Sequence, residues 1–162
     1  MMIIVSDTSP IINLAQINLL SLLPKLYGQI IIPQAVYNEI VINGEKDPGA
    51  YEIKNAGWIT VKSCEDTQLL NELLIELDKG EAEAIVLALE LNADRILMDE
   101  QIGRHKAIEL KLRPIGVLGI LISAKQHGLI ENVKPYVINL IKDAHFFIHP
   151  KLYEEVMKVV NE

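Results

Sequence analysis

Asp7, Glu39, Glu81 and Asp99 are four acids set apart by what surrounds them. Asp7 closes the apolar run Ile3-Ile4-Val5 one residue after Ser6, and Thr8, Ser9, Pro10 and a helical apolar pattern (Ile11, Ile12, Leu14, Ala15) follow it. That order predicts a buried strand, a tight turn, and a helix with Pro10 at its first position, where a missing N–H is harmless. Asp99 closes a second such run, Arg95-Ile96-Leu97-Met98. Two strand-end aspartates of one parallel sheet emerge at its carboxyl edge, where open α/β sheets place ligands. Glu81 falls in the first turn of a helix, where the dipole favours a carboxylate, and Glu39 in a helix that follows another strand. Like charges brought close together repel, so four converging carboxylates require a counter-charge. For an all-oxygen set that is a hard divalent cation, Mg²⁺ or Mn²⁺. Against this stand plainer readings: Asp7 or Ser9 as a helix cap, and Glu39 and Glu81 as solvated helix charges.

The elements that must carry these acids alternate. Strands are expected near 3–6, 29–32, 59–61, 95–98 and 113–115, the third at a sheet edge. Helices are expected over 11–16, from Ile17 to about Leu26, and over 34–42, which Asn43-Gly44 closes. Further helices follow from a cap at Asp66 to Leu77, over 81–91 and 103–110, and over 116–127, 133–143 and 151–160. Such alternation implies βαβ units and a mostly parallel central sheet, a three-layer α/β/α sandwich. At 162 residues with half of them hydrophobic, a single domain spanning 1–162 is expected, the helices from about 132 packing on it. The formal charge of -7 argues against a protein that coats nucleic acid, not against a nucleic-acid enzyme whose metal reverses the local sign. Cys64 is the sole cysteine, so neither an internal disulfide nor a cysteine zinc site is expected. No stretch reads as a signal peptide or a membrane span, and the expected location is cytoplasmic.

Taken together, Asp7-Thr8-Ser9-Pro10 with Asn13 and Leu14, Pro33-Gln34-Ala35-Val36-Tyr37-Asn38-Glu39-Ile40, Gly80-Glu81-Ala82-Glu83-Ala84-Ile85 and Ile96-Leu97-Met98-Asp99-Glu100 resemble the PIN-domain superfamily of metal-dependent ribonucleases. That superfamily includes the VapC-like toxins of toxin–antitoxin pairs. Gly116-Val117-Leu118-Gly119-Ile120-Leu121 resembles a helix start of a poorly characterised branch. The resemblance implies that Asp7, Glu39, Glu81 and Asp99 form the acidic metal site, with Thr8 or Ser9 as the hydroxyl near the metal and Asn13 as the polar residue one turn into the first helix. The third acid is often Asp in the toxins, and Glu83 competes with Glu81 here, although Glu83 points some 200° away around the helix. Glu100 either assists the site or faces solvent.

The chemistry implied is phosphodiester hydrolysis of RNA with Mg²⁺ or Mn²⁺, through one ion or two. Arg104 and Lys106 follow Asp99 closely enough to neutralise substrate phosphates, or they form a solvated helix face. His105 is expected at the surface, and His145 and His149 have no assigned role. A homodimer is expected from Leu19, Leu20, Leu22, Leu23 and Leu26, which exceed what one core-facing stripe needs, unless that helix is buried on both sides. The toxin likeness also implies a separate antitoxin partner. Two rival functions remain: a non-catalytic PIN-like module that binds without cutting, and a haloacid-dehalogenase-type phosphatase. The phosphatase needs a second Asp two residues after the first, and Ser9 stands there.

Overall fold

The computed structural model describes residues 2–162; Met1 lies outside the described residues. Five short strands, β1 (Ile4–Ser6), β2 (Ile30–Pro33), β3 (Ile59–Lys62), β4 (Arg95–Leu97) and β5 (Pro114–Ile115), form one sheet in the order β3-β2-β1-β4-β5. All four pairings are parallel, with Val5 beside Ile31 on one flank of β1 and beside Ile96 on the other. Parallel neighbours need crossovers, and helices supply them: α1 (Thr8–Gln16), α2 (Leu22–Tyr27), α3 (Gln34–Tyr37), α4 (Ala50–Lys54), α5 (Thr67–Leu73), α6 (Lys79–Glu90), α7 (Gln101–Glu109), α8 (Val117–Gln126), α9 (Lys134–Asp143) and α10 (Pro150–Val160).

Strand periodicity sorts the side chains into two layers. Ile4, Ile30, Ile32 and Leu97 pack with apolar residues of α1, α2, α8, α9 and α10. Val5, Ile96 and Met98 face the opposite way, against α5, α6 and α7. The three-layer α/β/α sandwich therefore stands, and the sheet is wholly rather than mostly parallel. Val137, Leu140, Val156, Met157 and Val160 join the same core as α1, so the helices beyond residue 132 pack on the sheet's helical layer. β3 lies at one edge and exposes most of its residues.

Two local expectations are corrected. Pro10 is the third residue of α1, which begins at Thr8. The helix expected over 17–26 is instead a turn followed by α2, with Asn18 in the left-handed region at φ 59°. Pro24 stops nothing, because it falls in the first turn of α2, where a missing N–H is tolerated. Leu20, Leu22 and Leu23 are buried, and Leu19 and Leu26 pack against the same core. The apolar surplus is thus spent within the protomer, and the argument for a homodimer drawn from it falls away.

The sheet order reverses direction between β1 and β4: the chain runs outward from β1 through β2 to β3, then restarts on the other flank with β4 and β5. Loops part at such a point and leave a crevice beyond the strand ends. Asp7 follows β1 directly, and Asp99 stands two residues past β4. The Asp7 amide donates to the Leu97 carbonyl at 2.9 Å, so the two strand ends are tied at the crevice floor.

Candidate active site

Asp7 occupies the N-cap position of α1 in extended backbone, yet its carboxylate makes no capping hydrogen bond. It is only 3% exposed. Burial pushes it up to about 8; the charges of Glu81, Asp78 and Glu39 add to the rise, and the Thr8 amide offsets only part of it. A buried carboxyl without a cap to form is free for another task.

Glu39 reaches Asp7 by way of a widened turn. After α3 the chain runs through Asn38–Ile42 with i→i+5 bonding, the Asn43 amide donating to the Asn38 carbonyl at 2.8 Å. Such turns are rare and cluster at functional sites, because the inserted residue re-aims its neighbours. Both carboxylates lean over Gly80 in the first turn of α6: a Cβ there would come within 2.5 Å of Glu39 Oε1 and 3.3 Å of Asp7 Oδ1. Glu39 is an exposed residue; what burial its carboxyl has raises it, the Thr8 hydroxyl offsets part of the rise, and the charges of Asp78 and Glu83 add to it. The Thr8 hydroxyl is itself buried, close to the Glu39 carboxylate but without a well-formed hydrogen bond.

The Gly80 gap makes a test. The atom a Cβ would displace is the tip of a flexible side chain, and Ala is favoured over Gly in helices by up to about 1 kcal/mol. Gly80→Ala is therefore expected to keep or slightly raise the melting midpoint while pushing Glu39 off Asp7. Calorimetric titration should show Mn²⁺ binding weakened by roughly tenfold, the lower range for disturbing a ligand's support.

Glu81 is buried in the first turn of α6 and forms a reciprocal cap with Asp78: its amide donates to Asp78 Oδ1 at 2.8 Å and its Oε1 accepts from the Asp78 amide at 3.2 Å. Its Oε2 is turned toward Gly103 of α7, where a Cβ would come within 3.0 Å of it. Burial pushes this carboxyl up to about 7, with the charges of Asp78 and Glu100 contributing. Asp99 is held from two sides, Oδ1 accepting from the Val117 amide at the start of α8 (2.8 Å) and Oδ2 from Asn13 Nδ2 (3.1 Å). Burial raises it too, and these two donors with Arg104 pull it back.

Asp7 and Glu39 thus share the Gly80 gap, Glu81 lies one residue on in α6, and Asp99 lines the crevice beside Thr8, Ser9 and Asn13. Among the described residues, however, no three His, Cys, Asp or Glu side chains are gathered closely enough to hold an ion. The expected single cluster is a ring of neighbours rather than a closed ligand shell. Asp7 and Glu39 meet over Gly80, whereas Glu81 and Asp99 are each turned to a backbone donor. The donor set still suits a hard divalent cation, being all oxygen, with Asp7 and Glu81 buried and a buried hydroxyl at Thr8 beside them.

Other expected residues divide. Ser9 and Asn13 line the crevice with Thr8, Asp99 and Glu100, and Glu100 is exposed there at the start of α7 without capping it. Arg104 lines the adjoining space and donates from Nη1 to the Met98 carbonyl at 3.1 Å. Lys106 is turned elsewhere, paired with Glu76 at 3.4 Å and Glu109 at 3.1 Å; it lines neither space beside Asp99, which corrects its assignment to substrate. His105 is exposed, as expected. Glu83 is neither solvated nor in the crevice: it is buried, and its Oε1 accepts from the Ala35 amide of α3 at 3.1 Å.

Glu83→Ala should leave that amide unsatisfied and lower stability by about 1–3 kcal/mol. Glu83→Gln, which keeps an acceptor oxygen, should lose far less. Urea denaturation checks both, and Mn²⁺ affinity should hardly move in either.

One wall of the crevice was not anticipated. Ala144, His145, Phe146 and Phe147, between α9 and α10, face Thr8, Asn13 and Asp99 across a cavity of about 600 Å³. Phe146, Phe147 and His149 border a second cavity, about 630 Å³, on the Arg104 side. No periodicity marks six residues between two helices, and the only signal was an aromatic pair in a chain with 5% aromatics.

A family model described as a PIN domain (DUF3368) matches residues 3–162. The chain belongs to the PIN-domain family. No curated protein and no solved structure matches it. PIN domains are generally nucleases and so hydrolases acting on nucleic acids. In this PIN domain Asp7 and Asp99 flank the switch point of the sheet, and no helix among the described residues is long and apolar enough to cross a membrane.

Proposed function

We propose that this PIN domain is a divalent-metal-dependent endoribonuclease, using Mg²⁺ or Mn²⁺ to hydrolyse RNA phosphodiester bonds. The observation that carries the reading is the pairing of Asp7 and Glu39 over Gly80, at the carboxyl edge of the sheet, with the Asp7 carboxyl pushed up to about 8 by burial beside other acids. A protein gains no folding stability from crowding buried acids; a bound cation repays the crowding.

Asp7, Glu39, Asp99 and the free Oε2 of Glu81 are the oxygens that would hold the ion, with Thr8 or Ser9 supplying a hydroxyl at its side. A bound divalent ion supplies a water of lowered pKa and charge neutralisation at the scissile phosphate. The chain's own residues do the rest. Asn13 and the Val117 amide fix the Asp99 carboxylate, so it meets substrate without reorganising. Arg104, held by the Met98 carbonyl beside Asp99, presents its remaining donors to a phosphate. Glu100, exposed at the mouth, is placed to accept a proton from the attacking water. A toxin role, with a separate antitoxin protein covering the crevice, belongs to the same proposal.

A second reading, a module that binds RNA without cutting it, is favoured by one observation: the acids as they stand close no ligand shell. A nuclease assay on a panel of structured and unstructured RNAs with Mg²⁺ or Mn²⁺, with and without chelator, separates the two. Chelator-sensitive cleavage supports the enzyme. Binding without cleavage under every metal condition would leave the module.

A further inference from the structure

The segment between α9 and α10 is fastened at both ends. After His145 turns the chain in the left-handed region at φ 52°, the Phe146 amide donates to the Leu140 carbonyl at 3.0 Å. His149 accepts from the Lys151 amide at 3.2 Å and so caps α10. Phe146 and Ile148 turn inward and pack on the core, which leaves Phe147 between them facing out, 82% exposed. A phenylalanine so exposed leaves most of its ring in water, and the packing of Phe146 and Ile148 on either side fixes its backbone.

That place is the rim of the acidic crevice. Phe147 borders both cavities, and Asp99 and Gln101 border both with it. The ring therefore stands across the crevice from an acid that the nuclease reading assigns to the metal ion, with Arg104 lining the cavity on one side. A phosphate held by that ion and Arg104 carries a nucleotide on each flank. A base on one flank meets a ring with nothing stacked on it.

We infer that Phe147 is a stacking platform for an unpaired nucleobase next to the scissile phosphate. The inference rests on the nuclease reading for the position of the phosphate. Its physical basis is general: every base has a π-face, and stacking on an aromatic side chain is a sequence-tolerant source of affinity. An A-form duplex offers no such face, because its bases are stacked on one another inside the helix. The charge of -7 is consistent with this division of labour, since a chain short of cations cannot rely on phosphate contacts alone.

The test uses the full chain and short single-stranded RNAs carrying one 2-aminopurine, a base whose fluorescence is quenched on stacking. Binding is measured in EDTA, where the chain does not cut. Native protein and Phe147→Tyr should quench the probe. Phe147→Leu, which keeps an apolar side chain but no ring, should abolish the quench and weaken binding by roughly tenfold, as expected for loss of one base–aromatic stack. With Mn²⁺ added, Phe147→Leu should raise KM for single strands and leave kcat nearly unchanged.

Equal quenching by the Leu variant would overturn the platform, as would native protein that binds single strand and duplex equally. So would a change from dimer to monomer in Phe147→Leu with no change in the quench, because the ring would then belong to an interface between copies. Ring-dependent quenching in a protein that cuts no RNA under any metal condition would uphold the platform and remove the nuclease reading. Cleavage that Phe147→Leu leaves intact in both KM and quench would do the reverse.

Discussion

Asp7→Asn should abolish RNA cleavage, by at least about a thousandfold, the scale of loss seen when one member of a catalytic set is removed. The substitution keeps the size of a side chain that is 3% exposed, so the fold should survive. It removes the charge of one of the two carboxylates that meet over Gly80. The cheap readout is a pair of thermal melts. Saturating Mn²⁺ at a hundred times its dissociation constant stabilises a binding protein by about 2.7 kcal/mol. For a chain of this length that shifts the midpoint by roughly 5–10 °C. The native protein should show the shift and Asp7→Asn should not. Asp99→Asn should behave alike in the assay, although it also disturbs the bonds from Asn13 and Val117. An equal metal response in native protein and Asp7→Asn would show that Asp7 is not a ligand.

The metal-free protein should be markedly less stable at pH 8 than at pH 5. The folded-state carboxyl of Asp7 titrates at about 8, against 3.8 for the unfolded chain. Between those values the native state binds a proton that the unfolded state has lost. Stability is then fully present below about 4, falls as the pH rises, and levels off above about 8. At about 1.36 kcal/mol per unit, the loss is on the order of a few kcal/mol, since some water enters as the group ionises. The buried Glu81, pushed up to about 7, adds a smaller loss over a narrower window in the same direction. Chemical denaturation in EDTA across this range measures it. Asp7→Asn should flatten most of the slope and make the metal-free protein more stable than native at pH 8. A native protein whose stability is flat or rises from pH 5 to pH 8 would show that Asp7 is not held protonated.

The legibility of this chain in its sequence follows the range of the forces involved. Strands β1, β2 and β4 are short, largely buried apolar runs with a sharp end, and local patterning places both them and the aspartates that follow β1 and β4. Glu81 is legible for the same reason, since the first turn of a helix is a local feature. The approach of Glu39 to Asp7 depends on a widened turn that the sequence does not announce: i→i+5 bonding leaves no mark in apolar spacing, and Asn38–Ile42 reads as ordinary helix. Glu83 was known to point away from the site. Its partner, the Ala35 amide, lies 48 residues off and is set by packing of α3 on α6. Lys106 was misread because its partner Glu76 comes from a separate turn. The wall at 144–149 escaped because the fold, not the sequence, carries it back to residue 8.

The seam between β1 and β4 has a consequence for how the protein may be divided. The strands on the β3-β2-β1 side of it are encoded before residue 63, and β4 and β5 after it. The acids split the same way, Asp7 and Glu39 in the first part, Glu81 and Asp99 in the second. Ser63–Glu65 joins the parts as coil, partly or wholly exposed. A chain severed there yields two fragments, each holding two of the four acids and one sheet edge that the other fragment matches. On the proposed reading neither fragment alone cuts RNA, and hydrolysis by the mixed pair would report their meeting.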